Sequence, residues 1–289
     1  MLIGDRRCFM EIYEKESVSL YLSNVVQLEN EESTVQSIQI YQHPELGKVL
    51  VINGEIQNVE KWAPLYHEAI VHIPMMFLEE PRSVLILGGG DLYAAEIALQ
   101  YPSVEQVTLC DYDPEIIRLT SKHYVHAQSV LNNPKVTICY QDAKEYIKEC
   151  TKKFDLIVDD CFNLIKDFAP HDQIFKQLAN LLTPGIGVCS SLMYRHIFDQ
   201  FTIEQTNKNL LSQFNTVLSL VTVPEYPGIL HLLTMWGHSI YLSQDLPTSK
   251  NRYHMDMLQF GNHQISEIFD PKFCKYYLYL PKYIKNILR

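Results

Sequence analysis

The spacing of apolar and polar positions changes near residue 60. Before it, residues 17–28 (SVSLYLSNVVQL) and 37–41 (SIQIY) alternate as half-buried strands do. Residues 48–56 carry Asn53-Gly54 at their centre, a strong hairpin signal because both residues accept the positive φ of a tight turn. Residues 1–60 are therefore expected to form a small antiparallel β-strand domain, and 61–289 a larger second domain. Residues 63–77 place Leu65, Ala69, Ile70 and Ile73 at helical spacing, up to a break at Pro81. From there short apolar runs alternate with helical segments. Strands are expected at 83–87, 106–110, 136–140, 156–159 and 187–191, and helices at 92–101, 114–124, 143–150 and 174–182. Residues 217–223 and 230–236 read as a terminal strand pair. Short, wholly apolar strands alternating with helices predict an α/β fold: a parallel sheet covered on both faces.

Residues 84–92 (VLILGGGDL) read as a strand running into a glycine turn and a helix. Glycines there let a ligand approach the backbone, and the helix start offers unpaired N–H groups. A bare structural turn is the alternative. The next strands end in Asp111, in Gln141-Asp142-Ala143 and in Asp159-Asp160. In doubly wound folds an acidic side chain at the second strand end accepts from ribose hydroxyls. Helix capping is the competing role for Asp111 and Asp142, and Asp113 suits the cap before Pro114 better. Tyr93 stands where a dinucleotide fingerprint needs its third glycine, and no Gly-Lys-Ser/Thr phosphate loop occurs. The pattern therefore points to a nucleotide other than a dinucleotide or a nucleoside triphosphate.

Charge and composition narrow the picture a little. The formal net charge of -10, without a basic stripe, argues against nucleic acid and is compatible with a cationic substrate. The 7 cysteines, odd in number and irregularly spaced, read as reduced thiols of a cytoplasmic protein. No signal-peptide-like or membrane-spanning apolar run is found. The histidines form no tight ligand set, so no metal is expected; His67 and His72 read as satisfied in place.

These residues resemble the polyamine aminopropyltransferases, or spermidine synthase-like proteins, from about Cys8 to the C-terminus. The resemblance rests on VLVINGEIQNVEK, LYHEAIVHIP and GGGD within 49–91, on FDLIVDD at 154–160, on TVPEYP at 222–227 and on the segment 269–288. It implies a Rossmann-like class I adenosylmethionine-transferase fold with a small N-terminal antiparallel β domain, in a homodimer or homotetramer. The implied reaction moves an aminopropyl group from decarboxylated S-adenosylmethionine, a co-substrate and not a tightly bound cofactor, to putrescine or another small-molecule amine. Gln36, Gln57, Gly88, Gly89, Gly90, Asp91, Asp111, Tyr112, Asp142 and Ala143 match donor positions. Tyr66, Asp160, Asn163 and Tyr226 match acceptor positions. Asp160, assisted by Tyr66, matches the catalytic carboxylate. The chemistry suits a carboxylate: an amine with a pKa near ~10 must lose its proton before it attacks carbon beside a sulfonium.

The sequence departs from the family pattern on the acceptor side. Asn163 replaces an acidic residue, residues 164–167 (LIKD) replace a Pro-Gly gate, Leu92 replaces a glycine, Lys61-Trp62-Ala63 replaces a charged segment, and Cys8 stands for a tryptophan. Asp167, His171 or Asp172 could restore the missing charge. Two alternatives stay open. One is a transferase of intact S-adenosylmethionine, for methyl or aminocarboxypropyl transfer, with Lys61 as the cation beside Asp91; the other is a catalytically silent nucleotide-binding homologue.

Overall fold

A computed structural model describes residues 2–3, 6–13, 18–161, 171–196, 215–238, 240, 268–270 and 274–281. The chain begins with β1 (Leu2–Ile3), β2 (Arg6–Tyr13) and β3 (Val18–Ser23), which form an antiparallel sheet in that order. A second antiparallel sheet follows: β4 (Val26–Glu32), β5 (Ser37–His43), β6 (Gly47–Ile52) and β7 (Glu55–Val59). The alternating run expected over 17–28 is divided between the two sheets at Asn24, whose φ of 60° turns the chain. The expected hairpin is present. Asn53 and Gly54 take φ of 52° and 84°, and β6 pairs with β7 across them.

Then come α1 (Ala63–Met75), β8 (Ser83–Gly88), α2 (Tyr93–Leu99), β9 (Gln106–Asp111), α3 (Pro114–His123), α4 (Val125–Leu131), β10 (Val136–Tyr140), α5 (Ala143–Glu149), β11 (Leu156–Asp160), α6 (His171–Leu181) and β12 (Val188–His196). β13 (Asn215–Val221), β14 (Ile229–Gly237) and a short α7 (Cys274–Tyr277) complete the described elements. The large sheet runs β10-β9-β8-β11-β12-β14-β13. Its first five strands are parallel, and β14 is antiparallel to both β12 and β13. This is the expected α/β arrangement. The chain winds outward from β8 to β10, then returns to β11 on the other side of β8. That reversal opens a crevice beyond the carboxyl ends of β8 and β11.

Two apolar layers cover the large sheet. One joins Val84 and Ile86 of β8 to residues of α1 to α4 and to Ile38, Ile40 and Leu50 of the small sheet. The other joins Leu85 and Leu87 to α5, α6 and Trp236. Alternate β8 residues point to opposite faces and both faces are buried, which explains the unbroken apolar run. Because Ile38, Ile40 and Leu50 share a core with the large sheet, the small sheet is held against the crevice.

α1 differs from expectation. Leu65 and Ala69 are only half-buried, while Ala63, His67, Glu68, Ile70 and Val71 face inward. The inner face includes polar side chains because each meets a partner from elsewhere. The Glu68 carboxylate, for example, accepts from the backbone N–H groups of Ile268 and Phe269 at 2.9 and 2.7 Å.

Candidate active site

The glycine turn after β8 is shaped by space as well as by torsion. Gly88 and Gly89 take φ of 80° and 73°. A Cβ on Gly88 would lie 2.7 Å from the Asp160 carbonyl oxygen, and one on Gly90 would lie 2.2 Å from Ile116 and 2.7 Å from the Asp111 carboxylate. Any side chain here would force β8, β11 and α3 apart. Leu92 also sits at positive φ, 69°, yet it is wholly buried. Its apolar packing, about 1.5–3 kcal/mol for a buried leucine, offsets the roughly 1–2 kcal/mol of left-handed strain.

The crevice holds a cavity of about 550 Å³. At the carboxyl ends of β9 and β10 it is lined by Asp111, Tyr112 and Ala143; at the centre by Gly88, Gly89, Gly90, Asp91 and Asp160; across the sheet by Leu192, Glu225, Tyr226 and His231. Gln36 and Gln57 of the small sheet form another wall. Thus one cavity brings together nearly all the residues singled out in the sequence. Asp142 does not line it; its carboxylate accepts from Lys144 N at 2.7 Å, capping α5, and Ala143 beside it forms the wall. Asp113 likewise caps α3, accepting from Glu115 N at 3.0 Å, which leaves Asp111 to the cavity. Tyr112 donates from its hydroxyl to Gln36 Oε1 at 3.0 Å, tying the small sheet to the end of β9. Asn163 and the segment 164–167 lie outside the described residues, as do the side chains of Cys8, His171 and Asp172.

Tyr66 on α1 donates to Asp160 Oδ1 at 2.5 Å. Burial pushes the Asp160 carboxyl up to about 7; the negative charges of Asp91 and Asp111 add to this, while His67 and the Tyr66 hydroxyl oppose it. Asp159, buried behind it, is also pushed up to about 7, by burial and by the Asp160 charge. Tyr66 is raised well above its ordinary value by burial and by Asp160, so its phenol remains a proton donor.

His67 was not expected to take part, but it is central. Its Nδ1 lies 2.9 Å from the Ala63 carbonyl oxygen and its Nε2 lies 3.1 Å from Asp91 Oδ2. Both positions call for an N–H, so the ring is an imidazolium. Burial opposes that charge, but the Asp91 carboxylate and its hydrogen bond outweigh burial and raise the pKa to about 9. On the other partner, burial is outweighed by the His67 charge and the bonds from His67 and Asn58, so the Asp91 carboxyl falls to about 2. Asn58 Nδ2 donates to Asp91 Oδ2 at 2.6 Å. The cation beside Asp91 is therefore His67 and not Lys61, which is exposed. Ligand atoms of His67, Asp91 and Asp160 all lie within 4.8 Å of one another.

Six carboxylates line the cavity, from Glu55, Asp91, Asp111, Asp159, Asp160 and Glu225, and no lysine or arginine does among the described residues. Such a wall suits a positively charged ligand and repels phosphate. A doubly wound sheet with a crevice at its reversal point is a Rossmann-like fold of the methyltransferase type, here with an acidic cavity. The spermine/spermidine synthase domain model matches residues 63–245, and the chain belongs to that family, which is one of aminopropyl transferases. A polyamine aminopropyltransferase of Thermoanaerobacter sp. (strain X514) is 27% identical over 281 residues, covering 89% of this chain and 90% of that protein. A spermidine synthase of Dictyostelium discoideum is 30% identical over 225 residues, covering 75% of this chain and 77% of that protein. The crystal structure of spermidine synthase from Thermotoga maritima superposes with a TM-score of 0.82 at 23% identity, covering 99% of this chain and 95% of that one, and so shares the fold.

Among the lining or supporting groups, Glu55, Asn58, His67, Glu225 and His231 escaped the sequence reading. All but His231 stand inside the motifs NGEIQN, LYHEAIVHIP and TVPEYP, which was the signal available.

Proposed function

We propose that this chain transfers an aminopropyl group from decarboxylated S-adenosylmethionine to a primary amine, with Asp160 as the general base. The observation that carries this reading is the acidic wall. The donor bears a sulfonium and an ammonium and the acceptor arrives protonated, so both substrates are cations, and a cavity lined by six carboxylates with no described lysine or arginine suits both. The relatives named polyamine aminopropyltransferase support it.

In this reading Asp111 receives the ribose hydroxyls, and Gln36, Gln57, Tyr112 and Ala143 surround the nucleoside. The glycine turn admits the sulfonium, and Asp91 faces the aminopropyl ammonium. Burial raises the Asp160 carboxyl to about 7, so it can both hold and release a proton near neutral pH. It takes a proton from the acceptor ammonium, and the freed lone pair attacks the carbon next to sulfur. The carbon–sulfur bond breaks, and methylthioadenosine leaves as a neutral thioether. Tyr66 holds Asp160 Oδ1 and so directs the other oxygen to the amine. A base with a pKa near the working pH is the effective choice. The test is to supply decarboxylated S-adenosylmethionine with a panel of amines and measure methylthioadenosine. Release with at least one amine is expected, and none with any amine would overturn the assignment.

A second reading is favoured by His67, whose cation could accept the extra carboxylate of intact S-adenosylmethionine. Calorimetry with both nucleotides separates the two readings. Tighter binding of the decarboxylated form supports the first, and tighter binding of the intact form supports the second.

A further inference from the structure

Tyr93 opens α2 at the position where a dinucleotide fingerprint needs a glycine, and its ring packs against two imidazoles. The His67 ring stacks on it with centroids 5.1 Å apart and planes 29° from parallel. The His126 ring, from α4, lies against it at 3.7 Å and 32°. Tyr124, buried at the break between α3 and α4, meets Tyr93 edge-on at 6.1 Å. Tyr66 meets His67 edge-on at 4.8 Å. α1, α2 and α4 are therefore joined by a cluster of rings beside Asp91.

Both imidazoles that touch Tyr93 also hold Asp91. His67 Nε2 lies 3.1 Å from Asp91 Oδ2, and His126 Nε2 donates to the Asp91 backbone carbonyl at 2.7 Å. The Tyr93 backbone N–H donates to Asp91 Oδ1 at 3.2 Å. Asp91 is thus held at its carboxylate and at its carbonyl by two rings that lean on a third. The support is needed because Asp91 follows three glycines, whose backbone is the least restricted in the chain. The Tyr93 face also suits its neighbour. An imidazolium within about 6 Å of an aromatic centroid is attracted by the ring's electrons. Tyr93, Tyr124 and His126 do not line the cavity, so they reach a ligand only through His67 and Asp91.

We propose that Tyr93 and His126 are positioning residues whose packed rings hold the Asp91 carboxylate against the ammonium of the donor tail. They thereby set how strongly the site favours a donor that carries that ammonium. The inference rests on the aminopropyl transfer proposed above, and it gives a role to a residue that otherwise only excludes a dinucleotide.

The test compares decarboxylated S-adenosylmethionine, which carries the tail ammonium, with methylthioadenosine, which lacks the tail. Both are measured by calorimetry on the wild type, Tyr93→Leu, Tyr93→Phe and His126→Ala. Tyr93→Leu removes the ring. Its affinity for decarboxylated S-adenosylmethionine should fall about tenfold, the order of one charge-assisted hydrogen bond, while methylthioadenosine affinity stays within about twofold and shows that the variant is folded. Tyr93→Phe keeps the ring and should keep the wild-type ratio of the two affinities. His126→Ala should lower that ratio in the same sense as Tyr93→Leu. A second readout needs no donor. By NMR titration, His67 should lose its proton about one pH unit lower in Tyr93→Leu, the order of a desolvated cation–π contact. The charged groups that face His67, namely Asp91, Asp160 and Glu225, are common to both proteins, so the difference reports the ring. Equal losses for the two nucleotides, a Phe variant as weak as the Leu variant, or an unmoved His67 titration would overturn the proposal. If the wild type binds neither nucleotide but the His67 titration still depends on the Tyr93 ring, the transfer reading fails and the support of His67 and Asp91 stands.

Discussion

Replacing His67 by glutamine removes the cation that Asp91 faces. The His67 side chain is 4% exposed, so little solvent screening applies. Its pKa rises from 6.5 to about 9. At ~1.36 kcal/mol per unit, the pair favours the folded state by about 3 kcal/mol when fully charged, and by about 2.5 kcal/mol at pH 7, where the unfolded imidazole is mostly neutral. The fall of Asp91 from 3.8 to about 2 describes the same interaction from its other end, so the two are not added. The signs set the window. A raised histidine pKa gives stability that is complete below 6.5 and is lost as pH rises through 9. A lowered carboxyl pKa gives stability that is present above 3.8 and is lost as pH falls through 2. Urea denaturation of wild type and His67→Gln should therefore differ by about 2–3 kcal/mol at pH 7. Near pH 10 the gap should shrink to about 1 kcal/mol or less, the worth of the lost hydrogen bond to the Ala63 carbonyl. A gap at pH 10 as large as at pH 7 would refute the ion pair as its cause. The same variant should move the acid limb of activity to higher pH, because the His67 charge lowers the Asp160 pKa. An unmoved limb would sever that coupling.

Asp160→Asn should lower methylthioadenosine release by about 10²–10⁴-fold, the usual worth of a general base. Wild-type activity should fall below about pH 7 as Asp160 takes a proton, and a variant that keeps this limb would show that another group is the base. Gly90→Ala places a Cβ against Ile116 and the Asp111 carboxylate, so one of them must move. Calorimetry should show methylthioadenosine binding at least about tenfold weaker, of the order of one lost hydrogen bond, and unchanged affinity would count against Asp111 as a nucleotide contact.

Much of the framework was legible because it is local. The Asn53-Gly54 hairpin needs only its own two residues, and β8 is apolar throughout because both of its faces are covered. The helix expected over 114–124 ends at His123, within a residue, but α4 was not legible: it starts beyond Tyr124, which is extended at φ −106° and ψ 128° with its ring buried, a tertiary contact that the local sequence does not show. The inner face of α1 was misjudged for a related reason. His67 and Glu68 look like surface residues until the chain brings Asp91 to one and the backbone of Ile268 and Phe269 to the other. Asp142 shows the opposite limit: capping and ligand binding favour the same residue type at the same place, and only the geometry shows the cap. Glu225 reads as an ordinary turn residue until β14 is paired with β12.

The order of the sheet also explains why so many carboxylates can share one cavity. The chain reverses beside β8, so the ends of β8, β9 and β11 converge with the β13–β14 turn on a single crevice. Each of those segments brings an acidic residue. In the ligand-free protein the crowding has a cost, and burial with mutual repulsion pushes Asp159 and Asp160 up to about 7. One cation, His67, relieves part of it at Asp91. A ligand that brings positive charge relieves the rest, and its binding energy grows with each cation placed against a carboxylate. A pyrophosphate in the same crevice would meet repulsion from most of the wall, with His67 already paired to Asp91 and no described lysine or arginine to offset it. The selection is therefore electrostatic as well as steric: Tyr93 stands where a dinucleotide site needs a glycine, and the acidic wall disfavours a pyrophosphate and suits a positively charged ligand.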